Sequence, residues 1–216
     1  MTVYLTPYLV AQLTGLAVAL WRLRGTIKPP YWKAHRWFLA VVVAVEITAI
    51  ALHNHPAGNH LLYNVFLPVE AAFVGNFLYR LLLPVSSRRF QQGCFIALLL
   101  VAAIYVGEML TGGVYAIARH SITWLSFVLG GMSLFYLVLL AQVGVSERSV
   151  RQASFWWATG TAMFYTGTLL AGAGLPLLWE SSVSWGGFSP YQLIFNGLNV
   201  VLYGAWVGAF LCIART

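Results

Sequence analysis

Two carboxylates and three imidazoles crowd one stretch of this chain, Glu46 to Glu70, which reads EITAIALHNHPAGNHLLYNVFLPVE. It holds three of the five histidines, His53, His55 and His60, and two of the five acidic residues. Both glutamates lie inside apolar runs, where an ionisable side chain costs roughly 2.5 to 3.5 kcal/mol to insert into a bilayer and usually marks a function. Two chemistries are open to such a set. Paired carboxyls in a low-dielectric interior share a proton or hold a small polar ligand, since two like charges at close range oppose each other. Imidazoles with a carboxylate can ligate zinc. His53, His55 and His60, joined by Glu108 or His120, would make a three- or four-ligand centre with an open position for hydrolysis. The histidine spacing matches no established metal pattern and falls in a linker rather than on a helix face.

Helices must position these groups. At 3.6 residues per turn, Glu46, Ile50 and His53 share one helix face, and at the helical rise Glu46 lies about 10 Å deeper than His53. On the next helix Tyr63 and Glu70 share a face, and Glu70 lies about 15 Å below His60. Adjacent antiparallel helices would then bring the two carboxyls together near mid-depth. Pro68 lacks an N–H, so it frees the carbonyl of Asn64 and kinks the helix beside the pair.

Composition says what surrounds them. Hydrophobic residues make up 60% of the chain and charged residues 8%, with a mean hydropathy of +0.79, so the polar surface of a soluble globule is missing. Seven apolar segments are long enough to cross a bilayer: 3–22, 36–54, 61–84, 92–110, 121–143, 154–175 and 190–212. The expectation is a single all-α, polytopic domain of seven transmembrane helices over residues 1–216. The first segment has basic residues behind it and none ahead, so it reads as a retained helix rather than a cleaved signal peptide. Arg22, Arg24, Lys28, Lys33, Arg36, Arg80, Arg88, Arg89, Arg148, Arg151 and Arg215 fall on one side of the seven segments, and Arg119 falls alone on the other. By the positive-inside rule the N-terminus is outside and the C-terminus inside. The net charge of +7 is thus a topology signal, and nucleic acid is excluded as a partner. Trp21, Trp32, Trp37, Trp156 and Trp157 are expected at the inner boundary, with Trp124, Trp179 and Trp185 at the outer one. Cys94 and Cys212 form no disulfide or metal framework.

The seventh segment carries Gln192, Asn196, Asn199 and Tyr203 at steps of four, three and four, a polar stripe on one face. Amides facing lipid are costly, so the stripe turns inward, as interhelical glue or as the wall of a cavity opposite Glu46 and Glu70. Threonines of the sixth segment return hydrogen bonds to their own backbone, and that segment is expected to carry no chemistry. Glu108 is expected to be solvated near the outer boundary. Shifting the third segment by 129 residues lays Phe66 on Phe195, Glu70 on Asn199 and Gly75 on Gly204. Two parallel three-helix units around a fourth helix would produce that register, a layout similar to that of sugar carriers of the SWEET type. No lysine lies in the seventh segment, which excludes a retinal Schiff base there. Phosphate loops, CxxC pairs and nucleophile elbows are absent.

Three stretches, LLYNVFLPVE at 61–70, FWWATGTAMFYTGTLL at 155–170 and IFNGLNVVLYGAW at 194–206, resemble the seven-helix membrane modules of Bacteroidota that stand alone or precede histidine-kinase domains. The resemblance implies a sensor or receptor-like role and assigns no catalytic residue. Membrane hydrolases of the ceramidase type also have seven helices, but they carry their histidine pair in the last helix, where this chain has none.

The leading expectation is therefore a sensor in the bacterial inner membrane. It would bind a small ligand or protons in an outward-facing cavity lined by Glu46, His53, Tyr63, Asn64, Glu70, Gln192, Asn196, Asn199 and Tyr203, and would signal through a cytoplasmic partner. The alternatives are a small-solute transporter with three-plus-one-plus-three helices and a zinc-dependent intramembrane hydrolase.

Overall fold

A computed structural model describes residues 6–24, 30–52, 59–142, 148–173 and 190–213. Among them the chain forms seven α-helices and one 3-10 turn, with no strand. The helices are α1 (Pro7–Arg22), α2 (Ala34–Ala51), α3 (His60–Leu82), α4 (Arg88–Gly112), α5 (Arg119–Gln142), α6 (Arg148–Ala173) and α7 (Pro190–Cys212), and Pro30–Lys33 is the 3-10 turn. Each expected apolar segment corresponds to one helix. Five are long and apolar enough to cross a membrane: Pro30–Ala51 with its leading turn, His60–Leu82, Arg88–Gly112, Arg119–Gln142 and Gln192–Cys212. This is a helical membrane protein. The other two fall short for different reasons. Helix α1 spans only 16 described residues, while α6, at 26 residues, is diluted by Trp, Tyr and Thr.

Local sequence sets the ends. Pro7 opens α1, where its missing N–H costs nothing. Ser87 caps α4, its hydroxyl accepting from the Phe90 N–H at 3.3 Å. Gly113 stops α4 with φ +75°, a conformation that glycine adopts without a Cβ clash. Arg22 at the end of α1 donates to the carbonyls of Leu211 (2.9 Å) and Ile213 (3.0 Å), filling acceptors left open where α7 ends.

The helices form a ring. Helix α1 packs on α2 and on α7, α7 on α6, α6 on α5, and α5 on α3 and α4, while α3 touches α2 and α4. Helix α4 lies outermost, with only Cys94 and Val101 buried. The most extensive packing is α6 on α7, where Trp157 and Trp206 stack with centroids 5.3 Å apart and planes 8° apart. The Trp206 indole N–H donates to the Thr161 hydroxyl at 3.2 Å. Trp32 and Trp157, expected at the membrane boundary, are instead fully buried. Each sits on the inward face of its element, whereas Trp21, Trp37 and Trp156 are exposed. Adjacent residues on a helix point about 100° apart, so the Trp156–Trp157 pair divides between the two environments.

A polar clamp holds the connection between α4 and α5. Glu108 accepts from the backbone N–H groups of His120 and Ser121, both at 2.8 Å, and from the Ser121 hydroxyl. It therefore caps the start of α5, with a carboxylate where the helix dipole favours one. That corrects the expectation of a merely solvated side chain. Buried Asn64 completes the clamp: its Nδ2 donates to the carbonyls of Val114 (2.9 Å) and Ala116 (2.6 Å), and its Oδ1 accepts from the Ala118 N–H at 3.3 Å.

Candidate functional site: a carboxyl and phenol cluster

Glu46 on α2 and Glu70 on α3 lie on helices that touch, and each accepts hydrogen bonds from phenols. Around them stand four phenols drawn from α1, α3, α6 and α7. The Tyr8 and Tyr63 hydroxyls both donate to Glu46 Oε2 at 3.4 Å. The Tyr165 hydroxyl donates to Glu70 Oε1 at 2.8 Å. Tyr203, buried on α7, joins them through the side chain of Gln12. Gln12, one helical turn after Tyr8, is 1% exposed and its side chain interacts with both Glu46 and Tyr203. A carboxylate can only accept, so the amide nitrogen must face Glu46, and the amide oxygen beside it has no hydrogen-bond partner.

Depth divides the cluster. Tyr63 is 41% exposed and Glu46 is half-buried, so this end is open to the surroundings near the start of α3. Glu70 lies two turns further along α3, about 10 Å deeper. Among the described residues neither carboxyl has an Arg, Lys or His within hydrogen-bonding reach. Tyr8, Tyr63 and Tyr165 donate hydrogen bonds to the carboxyls, while the Gln12 oxygen remains an open acceptor, so the site suits an incoming group that brings a hydrogen-bond donor, such as a cation with N–H groups, or a proton.

Searches of family models, characterised proteins and solved structures return no match to this chain.

The residues expected to line one cavity divide into three groups. Glu46, Tyr63, Glu70 and Tyr203 meet in the cluster. Asn64 does not, because its amide is fully used in the α4–α5 clamp. Its carbonyl, freed by Pro68, accepts from the Tyr105 hydroxyl at 2.9 Å, so the vacancy that the proline creates is filled by α4. On α7, Asn199 donates to the Phe195 carbonyl of its own helix at 2.9 Å, Asn196 is half-buried and Gln192 is exposed. His53 and His55 lie outside the described residues. His60, the third member of the histidine set, has its Nδ1 3.1 Å from the Tyr115 carbonyl.

Three members were not foreseen. Tyr165 comes from α6, which was expected to carry no chemistry, although Thr161 and Thr166 do return hydrogen bonds to the Trp157 (2.8 Å) and Ala162 (2.6 Å) carbonyls as expected. Tyr8 and Gln12 come from α1. A signal existed there, since Gln12 is the only amide side chain in the first apolar segment and an amide facing lipid is costly.

A second buried polar group lies apart from the cluster. His35, 0% exposed, sits among Phe77 (centroid 4.3 Å), Phe73 (5.0 Å), Trp32 (5.3 Å), Phe210 (5.6 Å), Trp157 (5.7 Å) and Trp206 (5.9 Å). Its Nδ1 is 3.2 Å from the Trp32 carbonyl. A carbonyl only accepts, so Nδ1 carries the proton and Nε2 keeps its lone pair inside the aromatic core.

Proposed function

We propose that this protein is a receptor-like membrane sensor, with seven spans, an external N-terminus and an internal C-terminus, in the inner membrane of a bacterium. A small cationic ligand or protons enter the cluster of Glu46, Glu70, Tyr8, Tyr63, Tyr165, Tyr203 and Gln12 from the end that bears Tyr63. The observation that carries this reading is a pair of carboxyls held by phenols and one amide, with no cationic partner among the described residues and an unfilled buried acceptor beside them. The cluster joins side chains from α1, α2, α3, α6 and α7, so a change in its charge alters the packing of five elements at once. Such a change biases a two-state element by the difference in its affinity for the two states. The signal would leave through a cytoplasmic partner on the arginine-rich face. The orientation is supported by eleven basic residues on one side against Arg119 on the other.

The test is an acid titration of tryptophan fluorescence with the whole protein in lipid nanodiscs. Trp157 and Trp206, stacked between α6 and α7, report repacking there. The wild type is expected to show a reversible transition that disappears in the Glu46→Gln, Glu70→Gln double variant. All five histidines remain in that variant, so any histidine contribution stays as a baseline. An unchanged transition in the double variant would refute the assignment of the response to the two carboxyls.

A further inference from the structure

A groove of about 760 Å³ opens between α3 and α4, with α5 as its floor. No side chain of the carboxyl cluster lines it, and its walls are almost wholly apolar, formed by Leu67, Ala71 and Gly75 of α3, Leu98 and Ala102 of α4, and Leu125 of α5. The polar groups at its outer end are already engaged. Tyr105 donates to the Asn64 carbonyl at 2.9 Å, and the Ser121 hydroxyl bonds Glu108. Whatever occupies this length must therefore be apolar. From Leu67 to Tyr79 the α3 wall rises about 18 Å, close to the roughly 15 Å of hydrocarbon in one leaflet of a 30 Å core.

The other end differs in chemistry. Asn76 and Tyr79 line it, and the Arg80 Nε donates to Asn76 Oδ1 at 3.3 Å, which holds the guanidinium beside the groove and leaves its terminal nitrogens available. Arg88 and Arg89 open α4, where unpaired backbone N–H groups and the helix dipole also favour an anion. The three arginines are exposed, and none has a carboxylate partner among the described residues. No acidic residue occurs between Glu70 and Glu108. One end of the groove thus asks for an anion and the rest for a chain of about one leaflet's length.

We propose that the α3–α4 groove is a specific site for an anionic phospholipid, with one acyl chain along α3 and the phosphate on Arg80, Arg88 and Arg89. The site stands independently of the sensor reading, because it shares no side chain with the carboxyl cluster. Charge complementarity selects an anionic over a zwitterionic headgroup, and arginine matches phosphate through paired N–H donors.

Native mass spectrometry of the whole protein, released from detergent with equimolar phosphatidylglycerol and phosphatidylcholine, tests it. The wild type should retain one phosphatidylglycerol with about a tenfold preference. Arg80→Gln with Arg88→Gln and Arg89→Gln should abolish the preference, and the matching triple lysine variant, which keeps the charge, should preserve most of it. Ala102→Trp, at an exposed groove position, should lower retention about tenfold with every arginine intact. A wild type without preference overturns the proposal. So does a preference that survives the glutamine variant or is lost in the lysine variant. Full retention in Ala102→Trp would place the lipid on the basic surface outside the groove, and so would also overturn it.

Discussion

Gly160→Leu is expected to disrupt the bundle more than any other single glycine replacement considered below, lowering stability by about 3 kcal/mol, at the upper end of overpacking costs. A Cβ at Gly160 would stand 2.6 Å from the Ala205 Cβ and 3.1 Å from the Leu202 carbonyl oxygen. Both obstacles belong to the α7 backbone or lie next to it, so no rotamer change relieves them and the helices must separate. Separation would unstack Trp157 from Trp206 and weaken the Trp206 to Thr161 hydrogen bond. Close backbone approach through small residues is how helices gain contact where lipid removes the hydrophobic driving force. Gly131→Leu is the control. Its Cβ would meet nothing within 4 Å, and leucine has the better helix propensity by several tenths of a kcal/mol. Thermal unfolding in detergent, followed by near-ultraviolet circular dichroism, should show a large drop for Gly160→Leu and none for Gly131→Leu. Equal behaviour of the two would mean that α6 and α7 are not in backbone contact.

Asn64→Leu should produce the second largest loss, about 2 kcal/mol. Leucine has a similar volume but cannot make the three side-chain bonds to Val114, Ala116 and Ala118. The two carbonyls are near the surface and can be rehydrated, so most of the cost falls on the buried Ala118 N–H, where an unmet donor costs about 1 to 3 kcal/mol. Asn64→Asp keeps the acceptor for Ala118 and places oxygen against the Val114 and Ala116 carbonyls, so it should also destabilise. Limited proteolysis should detect early cleavage within residues 113–118 in both variants. Wild-type protection would show that the connection is held without Asn64.

Much of the fold is legible in the sequence because long apolar runs leave a bilayer-spanning chain few options other than helix. What escaped was the direction in which particular side chains point. Trp32 and Trp157 look like interfacial anchors in a list of residues, yet a rotation of one position decides whether an indole meets lipid or core. The same rotation separates neighbours Tyr63 and Asn64: the phenol turns to Glu46, and the amide to the α4–α5 connection. Glu46 and Glu70 stand out in the sequence because ionisable groups are rare inside apolar runs. Their partners do not, because Tyr8 is 38 positions from Glu46 and Tyr165 is 95 from Glu70. Tyrosine is also ordinary in membrane helices. Only the ring closure of α1 onto α7 and the packing of α6 bring those hydroxyls to the acids.

Everything proposed for function rests on Glu46 and Glu70 forming one electrostatic unit rather than two separate groups. Infrared difference spectroscopy across a pH titration resolves the carboxyl bands, and each band can be assigned by its loss in Glu46→Gln or Glu70→Gln. Two coupled groups titrate as a pair, so removing Glu46 is expected to shift the titration midpoint of the Glu70 band measurably, and Tyr165→Phe should move the frequency of that band alone. If the Glu70 band titrates at the same pH with and without Glu46, the two carboxyls do not share a site and the cluster is not a functional unit.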